Sequence, residues 1–350
     1  MNRVVNIGRL KVGGSNPVRI KAMLKTPIED TKRLIREAKR LEKEGAEALR
    51  VAVKQRADAG IVRILSQHIS VPLVADIHFD YRIALEAIKE GFPGIRLNPL
   101  NISRKKEVKE IIRAAKDNGV SIRVGVNSGG FRKNFSSPCV MAKAMVREAK
   151  KYIRYLEREK FFDTMVSFKG SDINTTIQAN RIFSAKETYP LHLGITATGP
   201  FLEAVVKSAI GQGILLKEGI GSVMRVSLTA PSFWEVRVAK SILQSLDLRR
   251  FGPEIISCPT CSRCEVDLIK IVSRFKRELE KTKLNKPLRI AIMGCVVNGP
   301  GEACQADIGA AFGKSKAVIF RKDKIIRRST ESRVIGDLLE EIKRLNQLTG

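Results

Sequence analysis

The stretch "PLVADIHFDYRIALEAIKEGFPGIRLNPL", residues 72–100, holds one complete strand–helix–strand unit. Its ends, 72–78 and 94–100, are short runs rich in apolar and β-branched residues, a composition that favours strands. The segment between them is more polar and has the apolar spacing of a helix. This unit decides the fold because it recurs along the chain.

Eight such strands are predicted before residue 250, at 18–24, 47–53, 72–78, 94–100, 121–127, 164–170, 191–196 and 222–228. Between them apolar residues recur at i, i+3, i+4 and i+7, as in Leu34, Ala38 and Leu41. Eight strands alternating with eight helices and ending near Leu246 indicate a closed parallel barrel of the TIM type. An open doubly wound sheet usually has fewer strands. We therefore predict a substrate-binding TIM-type barrel over 1–250.

Residues 251–350 follow a different pattern. They are expected to form a strand, a cysteine loop, a helix over 265–281, a strand over 288–293 and a second cysteine loop. A hairpin over 317–328 and a last helix over 332–347 complete the prediction. The fold class is α/β throughout, with a small α/β domain at 251–350 that carries the cysteines in its loops.

Composition limits the function. Apolar residues make up 43% of the chain, enough to build a sizeable core. The formal net charge of +28 attracts anions of every kind, although the basic residues are spread over helix-like stretches among Glu and Asp. Aromatic residues are only 5%, which gives little support for stacking on single-stranded nucleic acid, so no specific nucleic-acid partner is expected.

Location is predicted from what the sequence lacks. The start, "MNRVVNIGRLKVGG", has no apolar stretch of the secretory type, and no apolar run approaches the length of a membrane helix. The cysteines cluster between 258 and 304, which is unlike a secreted disulfide framework and typical of metal or redox chemistry. A cytoplasmic protein with no membrane contact is expected.

Polar residues at the strand ends suggest where the barrel acts, because barrel chemistry is carried at the C-terminal ends of the strands. A cation inside an apolar strand is costly unless it meets an anion, and a diphosphate would satisfy several cations at once. The alternative is a set of interior ion pairs, for which Asp76 is the obvious acidic partner. His68 and His192 are expected to be structural. The candidates are Arg50, Asp76, His78, Arg96, Asn98, Arg123, Asn127, Lys169, Arg225 and Ser227.

The cysteine motif "SCPTCSRCEVDL", residues 257–268, places Cys258, Cys261 and Cys264 three apart. A zinc ribbon would need a second Cys-x2-Cys pair, whereas the next cysteine, Cys295, stands alone in "MGCVVNGPGEACQAD". The run of three is typical of iron–sulfur ligation. The ligands would be these three thiols, or two of them with Cys295, and Glu302 lies within range. A structural zinc on the four cysteines is the alternative.

These two motifs resemble those of the 4-hydroxy-3-methylbut-2-enyl diphosphate synthase family of the non-mevalonate isoprenoid route. The segments "PLVADIHFDYRIAL", "RLNPLNI", "IRVGVNSG", "PLHLGIT" and "VKSAIGQGILLKEGIGSVMRVSL" are similar to that family in the same order, so the likeness covers essentially the whole chain. It matches the bacterial two-domain form.

The resemblance implies an iron–sulfur oxidoreductase that opens and dehydroxylates 2-C-methyl-D-erythritol 2,4-cyclodiphosphate with two electrons from ferredoxin or flavodoxin. It implies one 4Fe-4S cluster per subunit and a homodimer in which the cluster domain of one subunit caps the partner's barrel. The strand-end residues named above would hold the substrate, and Glu302, Asp76 and His78 would be catalytic. The implied cluster ligands are Cys258, Cys261, Cys295 and Glu302.

Several positions depart from the family pattern. "TATG", 196–199, has Ala197 where the family has a glutamate that assists protonation, and Leu100 replaces a glycine. "IKAM", 20–23, stands for V-Q-S-M, and Cys264 is an extra thiol that either joins the cluster or is a bystander. Cys139 and Cys304 are not expected to be ligands. The alternatives are therefore a cluster-bearing paralogue with altered substrate or low activity and, from another class, a basic zinc-binding RNA-binding protein.

Overall fold

The computed structural model describes residues 2–131, 134–282, 284, 287–295, 303, 306–314, 316–322 and 324–347. The chain divides into two compact units, Met1–Arg249 and Arg250–Gly350, each of which has its own core. None of the described helices combines the length and the apolar character needed to cross a membrane.

The N-terminal unit opens with a short antiparallel hairpin and continues as alternating strands and helices. The hairpin strands are β1 (Val5–Ile7) and β2 (Leu10–Val12). The barrel strands are β3 (Arg19–Met23), β4 (Ala48–Ala52), β5 (Leu73–Asp76), β6 (Gly94–Leu97), β7 (Ser121–Asn127), β8 (Thr164–Lys169), β9 (His192–Leu193) and β10 (Val223–Met224). The helices are α1 (Thr31–Glu44), α2 (Ile61–Ser66), α3 (Tyr81–Lys89), α4 (Lys105–Asp117), α5 (Pro138–Arg158), α6 (Ile173–Ser184), α7 (Phe201–Lys217) and α8 (Ser232–Ser245).

The eight strands after the hairpin form one parallel sheet in the order β8-β7-β6-β5-β4-β3-β10-β9. A parallel bridge between Val166 and Leu191 joins the two ends of that order, so the sheet is closed. The predicted TIM-type barrel is confirmed, and each predicted strand contains an observed one. Buried residues on the helices, such as Leu34, Ala38 and Leu41 on α1, cover the outside of the sheet.

The N-terminal hairpin packs apolar side chains against the barrel. Val5, Ile7 and Val12 are buried in one cluster with Val74, Met165 and Val223, which come from three different barrel strands. The sequence analysis did not predict this hairpin, because strands of three residues are too short to produce a periodic signal.

The C-terminal unit is a five-stranded sheet with helices. Its elements are β11 (Glu254–Ser257), α9 (Leu268–Glu280), β12 (Arg289–Met293), β13 (Ile308–Gly313), β14 (Lys316–Arg321), β15 (Lys324–Ser329) and α10 (Val334–Gln347). Strands β11, β12 and β13 are parallel, and β14 and β15 continue the sheet antiparallel. The small α/β domain of the predicted fold is confirmed, with β13 as an additional strand. Helix α9 begins three residues later than predicted, because Asp267 caps it by accepting a hydrogen bond from the Lys270 N–H.

We expect Ile7→Ala to lower the free energy of unfolding of the barrel by roughly 2–5 kcal/mol, since Ile7 is buried against the strands. The matched control is Val4→Ala, at a side chain that is 49% exposed, which should change stability by no more than about 0.5 kcal/mol. Urea unfolding followed by the fluorescence of Trp234, the single tryptophan of the chain and part of α8, measures both. Equal midpoints for the two variants would contradict this packing.

Candidate functional site

Six basic side chains lie inside the barrel, one from each of six strands or the residues that directly follow them. Alternate residues of a strand point to the same side, so one inward position on each strand suffices to bring them together. Relative exposure is 1% for Arg123, 3% for Lys21, 4% for Arg96 and 6% for Lys169. The set is Lys21, Arg50, Arg96, Arg123, Lys169 and Arg225.

Two glycines give these long side chains their space. A Cβ added at Gly125 would lie 2.8 Å from Nε of Arg96, and one at Gly194 would lie 2.7 Å from Nζ of Lys169. The Gly194 Cβ would also lie 2.9 Å from the backbone oxygen of Arg225, which cannot move without moving the barrel. The missing side chains are therefore part of how the barrel accommodates its cations.

Asp76, at the end of β5, is the carboxylate among these cations. Its oxygens lie 3.7 Å from Nε of Arg50 and 3.6 Å from Nη1 of Arg96. Nε2 of His78, a half-exposed residue, lies 3.4 Å from Oδ2. Burial alone would raise the pKa of Asp76, but Arg50, the hydrogen bond from His78 and Arg96 together lower it far below its ordinary value. Asp76 is therefore a permanently ionised centre that orients two arginines and His78.

A second buried carboxylate comes from a helix. Glu235 on α8 lies 2.8 Å from Nζ of Lys25 and 3.5 Å from Nη2 of Arg225, and it accepts a hydrogen bond from the Leu228 N–H. The sequence analysis missed this residue because it searched the strand ends only. Glu235 holds Arg225 in position from behind the strand.

His192 lies between two of the cations. Nη1 of Arg123 is 3.1 Å from its Nδ1, and Nζ of Lys169 is 3.4 Å from its Nε2. A guanidinium can only donate, so Nδ1 accepts from Arg123 and the ring proton is assigned to Nε2; the Lys169 amine beside it can accept from this N–H only in its neutral form. Burial, followed by Lys169 and Arg123, lowers the pKa of His192 well below its ordinary value, so the ring is neutral. The residue expected to be structural therefore contacts two members of the cationic set.

The interior holds more positive than negative groups. Six basic side chains face two carboxylates, and Nζ of Lys21 and Nε of Arg96, Arg123 and Arg225 have no hydrogen-bond partner. Burial, reinforced by the neighbouring cations, lowers the pKa of Lys169 and Arg123 well below their ordinary values. Buried donors without acceptors cost about 1–3 kcal/mol each, so this interior is built to receive an anion with several oxygens.

Polar residues complete the predicted set. Asn98 is buried and its amide oxygen accepts the Leu100 N–H, while Asn127 ends β7. Oγ of Ser227 has no hydrogen-bond partner, and its backbone oxygen accepts a bond of 2.6 Å from the Thr198 hydroxyl. The barrel thus brings together the charged candidates named from the sequence, with Lys21, His192 and Glu235 in addition.

Ala197 follows β9 and is exposed, with a φ of 51° in the left-handed region. That conformation is uncommon for a residue with a Cβ. The methyl side chain offers no proton, and the hydroxyl of the next residue, Thr198, is already bonded to Ser227. Among the described residues of this turn, no side chain substitutes for the expected glutamate at position 197.

In the C-terminal unit, two parallel strands place cysteines at the same sheet edge. Ser257, the last residue of β11, pairs with Ile292 of β12, so Cys258 directly follows one strand and Cys295 lies two residues beyond the end of its neighbour. The Gly294 N–H donates to Sγ of Cys258 at 3.3 Å. A Cβ at Gly294 would lie 2.4 Å from Sγ of Cys264 and 3.5 Å from Sγ of Cys258. The glycine therefore leaves room for two thiols.

The other candidate ligands are Cys261, Cys264 and Glu302. Cys261 is exposed, and the Cys264 thiol donates to the Val266 carbonyl at 3.2 Å. Glu302 and Cys304 lie outside the described residues. Within the described part of the chain, no three His, Cys, Asp or Glu residues are gathered closely enough to hold a metal ion.

Solved structures of other proteins share the barrel. Dihydropteroate synthase from Xanthomonas albilineans has a TM-score of 0.53 at 13% identity and covers 71% of this chain and 99% of its own. The Yersinia pestis dihydropteroate synthase has a TM-score of 0.53 at 11% identity, over 71% of this chain and 100% of its own. At such low identity the likeness shows the fold alone.

A closed parallel barrel with a cationic interior, followed in the same chain by a cysteine-bearing α/β unit, defines a two-part barrel enzyme. Protein-family models match both parts of the chain. Residues 2–240 match the GcpE TIM-barrel domain, and residues 254–344 match the GcpE protein C-terminal domain. The chain belongs to the GcpE family.

Curated relatives match this chain along nearly its whole length. The protein of Caldanaerobacter subterraneus subsp. tengcongensis is 44% identical, covering 99% of this chain and 97% of its own. That of Thermodesulfovibrio yellowstonii is 46% identical over 98% of each chain, and that of Fusobacterium nucleatum is 45% identical over 98% and 96%. All three are named 4-hydroxy-3-methylbut-2-en-1-yl diphosphate synthase (flavodoxin).

We expect Asp76→Asn to lower the stability of the barrel at pH 7 by about 3–5 kcal/mol, because it leaves Arg50 and Arg96 buried without their counter-charge. The pKa of Asp76 is depressed, so its contribution is complete above the ordinary value of 3.8 and is lost as the pH falls through the lower folded-state value. The difference in the free energy of unfolding between the unchanged protein and Asp76→Asn should stay constant from pH 8 to about pH 5 and narrow below about pH 4.

The control for this measurement is Asp80→Asn. Asp80 pairs with Arg82 on the surface and caps α3, and asparagine caps a helix about as well, so little change is expected. Urea unfolding at a series of pH values measures both variants. A loss of stability in Asp76→Asn no larger than in Asp80→Asn would show that Asp76 does not balance the interior cations.

Proposed function

We propose that this chain forms 4-hydroxy-3-methylbut-2-enyl diphosphate, the product for which its relatives are named, by the reductive ring opening and dehydroxylation of 2-C-methyl-D-erythritol 2,4-cyclodiphosphate. The observation that carries the proposal is the set of five basic side chains that lie buried or partly buried in the barrel, with unpartnered N–H groups on three of its arginines. The five are Arg50, Arg96, Arg123, Lys169 and Arg225. A diphosphate offers enough charge and oxygen acceptors to satisfy that set.

The residues of the barrel would divide this work. The guanidinium forks of Arg96, Arg123 and Arg225 would bind phosphate oxygens, held in place by Asp76 and Glu235. Lys169 would add a further donor next to His192. Asn98, Asn127 and Ser227 would bind the carbon chain, and the half-exposed His78, hydrogen-bonded to the ionised Asp76, is placed to hold or move a proton near the mouth.

The C-terminal unit would hold a 4Fe-4S cluster, one per subunit, through Cys258, Cys261, Cys295 and Glu302. Its thiols fit such a group: two leave adjacent strand ends, Gly294 keeps space beside them, and its N–H already donates to Cys258 sulfur. When bound, the cluster would supply the two electrons of the reaction one at a time. We propose that Cys264, whose thiol donates to the Val266 carbonyl, is a bystander.

The partners proposed are an electron donor and a second copy of the chain. The relatives' names specify flavodoxin, ferredoxin is the other donor that the resemblance implies, and the net charge of +28 favours association with an acidic protein. The anion-binding residues belong to one unit and the cysteines to the other, so the reaction requires a barrel and a cysteine-bearing unit to meet. We propose a homodimer in which the cysteine-bearing unit of one subunit caps the partner's barrel.

One observation favours a second candidate function. Ala197 supplies no carboxylate, and the neighbouring Thr198 hydroxyl is bonded to Ser227. A paralogue with a shifted substrate or slow turnover would keep the diphosphate site and the cysteines while losing this one group. Turnover of the cyclodiphosphate at a rate restored by Ala197→Glu would support the slow enzyme, and no turnover by either protein would support the shifted substrate.

We expect protein purified without oxygen to be brown and to contain about four irons and four sulfides per chain. Cys258→Ser and Cys295→Ser should lose most of this iron, because each removes a thiolate at the sheet edge. Cys264→Ser should retain it, and so should the matched control Cys139→Ser, which changes a cysteine on α5 of the barrel. Colourless protein with one zinc per chain would overturn the proposal in favour of a zinc protein, and salt-sensitive retention of RNA would then identify the RNA-binding alternative.

We expect Arg96→Met to weaken binding of inorganic pyrophosphate about 10- to 100-fold, since a hydrogen bond to a charged group contributes about 1.5–3 kcal/mol. The matched control is Arg181→Met, which changes a surface arginine on α6 that pairs with Glu218. Isothermal titration calorimetry measures both variants against the unchanged protein. Equal affinities in all three would show that the barrel interior does not bind diphosphate.

A further inference from the structure

Lys21 is a buried amine inside the barrel for which the proposed ligand set has no role. It lies on β3, paired in register with Ala48 of β4, and is 3% exposed. Its Nζ has no hydrogen-bond partner in the structure. Lysine usually extends its amine to water, so one kept inside without an acceptor requires an explanation.

The charges that act most strongly on Lys21 are those of Arg123, Arg50 and Asp76. Burial, followed by Arg123 and Arg50, lowers the pKa of Lys21 well below its ordinary value, and Asp76 alone opposes this. Asp76 is already shared by Arg50, Arg96 and His78. Five charged or titratable groups interact electrostatically with Lys21, and they come from strands β4, β5, β7, β8 and β9. They are Arg50, Asp76, Arg123, Lys169 and His192.

Such an amine makes the folded protein less stable. Because burial lowers the pKa of Lys21, the folded protein binds a proton at this amine less firmly than the unfolded chain does, and this difference lowers the stability of the fold wherever the unfolded lysine is protonated. No hydrogen bond of the Lys21 Nζ offsets this loss of stability. An anion placed between Lys21 and the arginines would change the balance, because it restores a counter-charge and supplies an acceptor.

We propose that Lys21 is a further diphosphate-binding residue, whose buried and unpartnered amine donates to the diphosphate and gains proton occupancy from solvent as the diphosphate binds. This inference rests on the proposed function and adds to it a residue on β3, the strand whose Met23 sulfur accepts a hydrogen bond from Nε of Arg50. Lys21 would thus couple binding of the anion to proton uptake.

The first test is calorimetric titration with inorganic pyrophosphate in two buffers of different ionisation enthalpy, which counts the protons taken up. Lys21→Met should bind at least about 10-fold more weakly and take up fewer protons per pyrophosphate than the unchanged protein. Lys21→Gln serves as a second variant, which keeps a polar side chain but cannot titrate. The matched control is Lys240→Met, a half-buried lysine on α8 that donates to the Glu44 carbonyl and whose pKa burial also lowers.

The second test is thermal melting without ligand. If burial of the Lys21 amine destabilises the fold, Lys21→Met melts at a higher temperature than the unchanged protein, although it binds pyrophosphate less well. Because the folded-state pKa is the lower one, that difference should narrow as the pH rises from 7 toward the ordinary lysine value of 10.5. A residue that merely supports the fold would give the opposite sign, a lower melting temperature at every pH.

The outcomes separate the two proposals. Unchanged affinity and proton count in both Lys21 variants, while the unchanged protein binds pyrophosphate, would overturn the role of Lys21 and leave the proposed function standing. Failure of the unchanged protein to bind pyrophosphate would overturn both. A smaller proton uptake in Lys21→Met and Lys21→Gln, but not in Lys240→Met, would establish Lys21 as the group that is protonated.

Discussion

Repulsion among buried cations is the constraint on which the rest of the barrel depends. Basic side chains from six strands share a space from which water is largely excluded, and each would be unfavourable there alone. Asp76 keeps Arg50 and Arg96 in place, and Glu235 holds Arg225 from outside the strand. The glycines that make room for these side chains and the neutral state of His192 follow from the same requirement.

Much of the barrel could be predicted because its signals are local. Short stretches of sequence are enough to predict the alternation of strands and helices. In a closed parallel sheet the C-terminal ends of the strands then lie at the same end of the barrel. This is why Arg96, Arg123 and Lys169 could be placed in one site before the structure was known. The hairpin and strand β13 were missed because the first is too short for a period and the second, "IGAAFG", is rich in glycine and alanine.

The parts of the site that were missed depend on contacts between distant segments. Lys21 lies in β3, a strand that was correctly predicted, but only the structure of the closed barrel shows that its amine has no hydrogen-bond partner. Glu235 belongs to a helix, and His192 becomes part of the site only through Arg123 and Lys169. Similarly, the spacing in the sequence groups Cys258 with Cys264, and only the pairing of β11 with β12 shows that Cys295 follows the strand next to that of Cys258.

On the proposed function, the cationic interior and the cysteines have separable effects on the reaction. The diphosphate group is common to substrate and product, so side chains that bind it strengthen both complexes and cannot by themselves accelerate the chemical step. Acceleration has to come from groups that act where the carbon–oxygen bond breaks, and the barrel offers few of them, since Ala197 has no proton to give and Thr198 is engaged. On this proposal the chemistry would depend on His78, on Glu302 and on the redox group that the cysteines would hold. An interior this positive without that group would be a diphosphate-binding protein and not a catalyst.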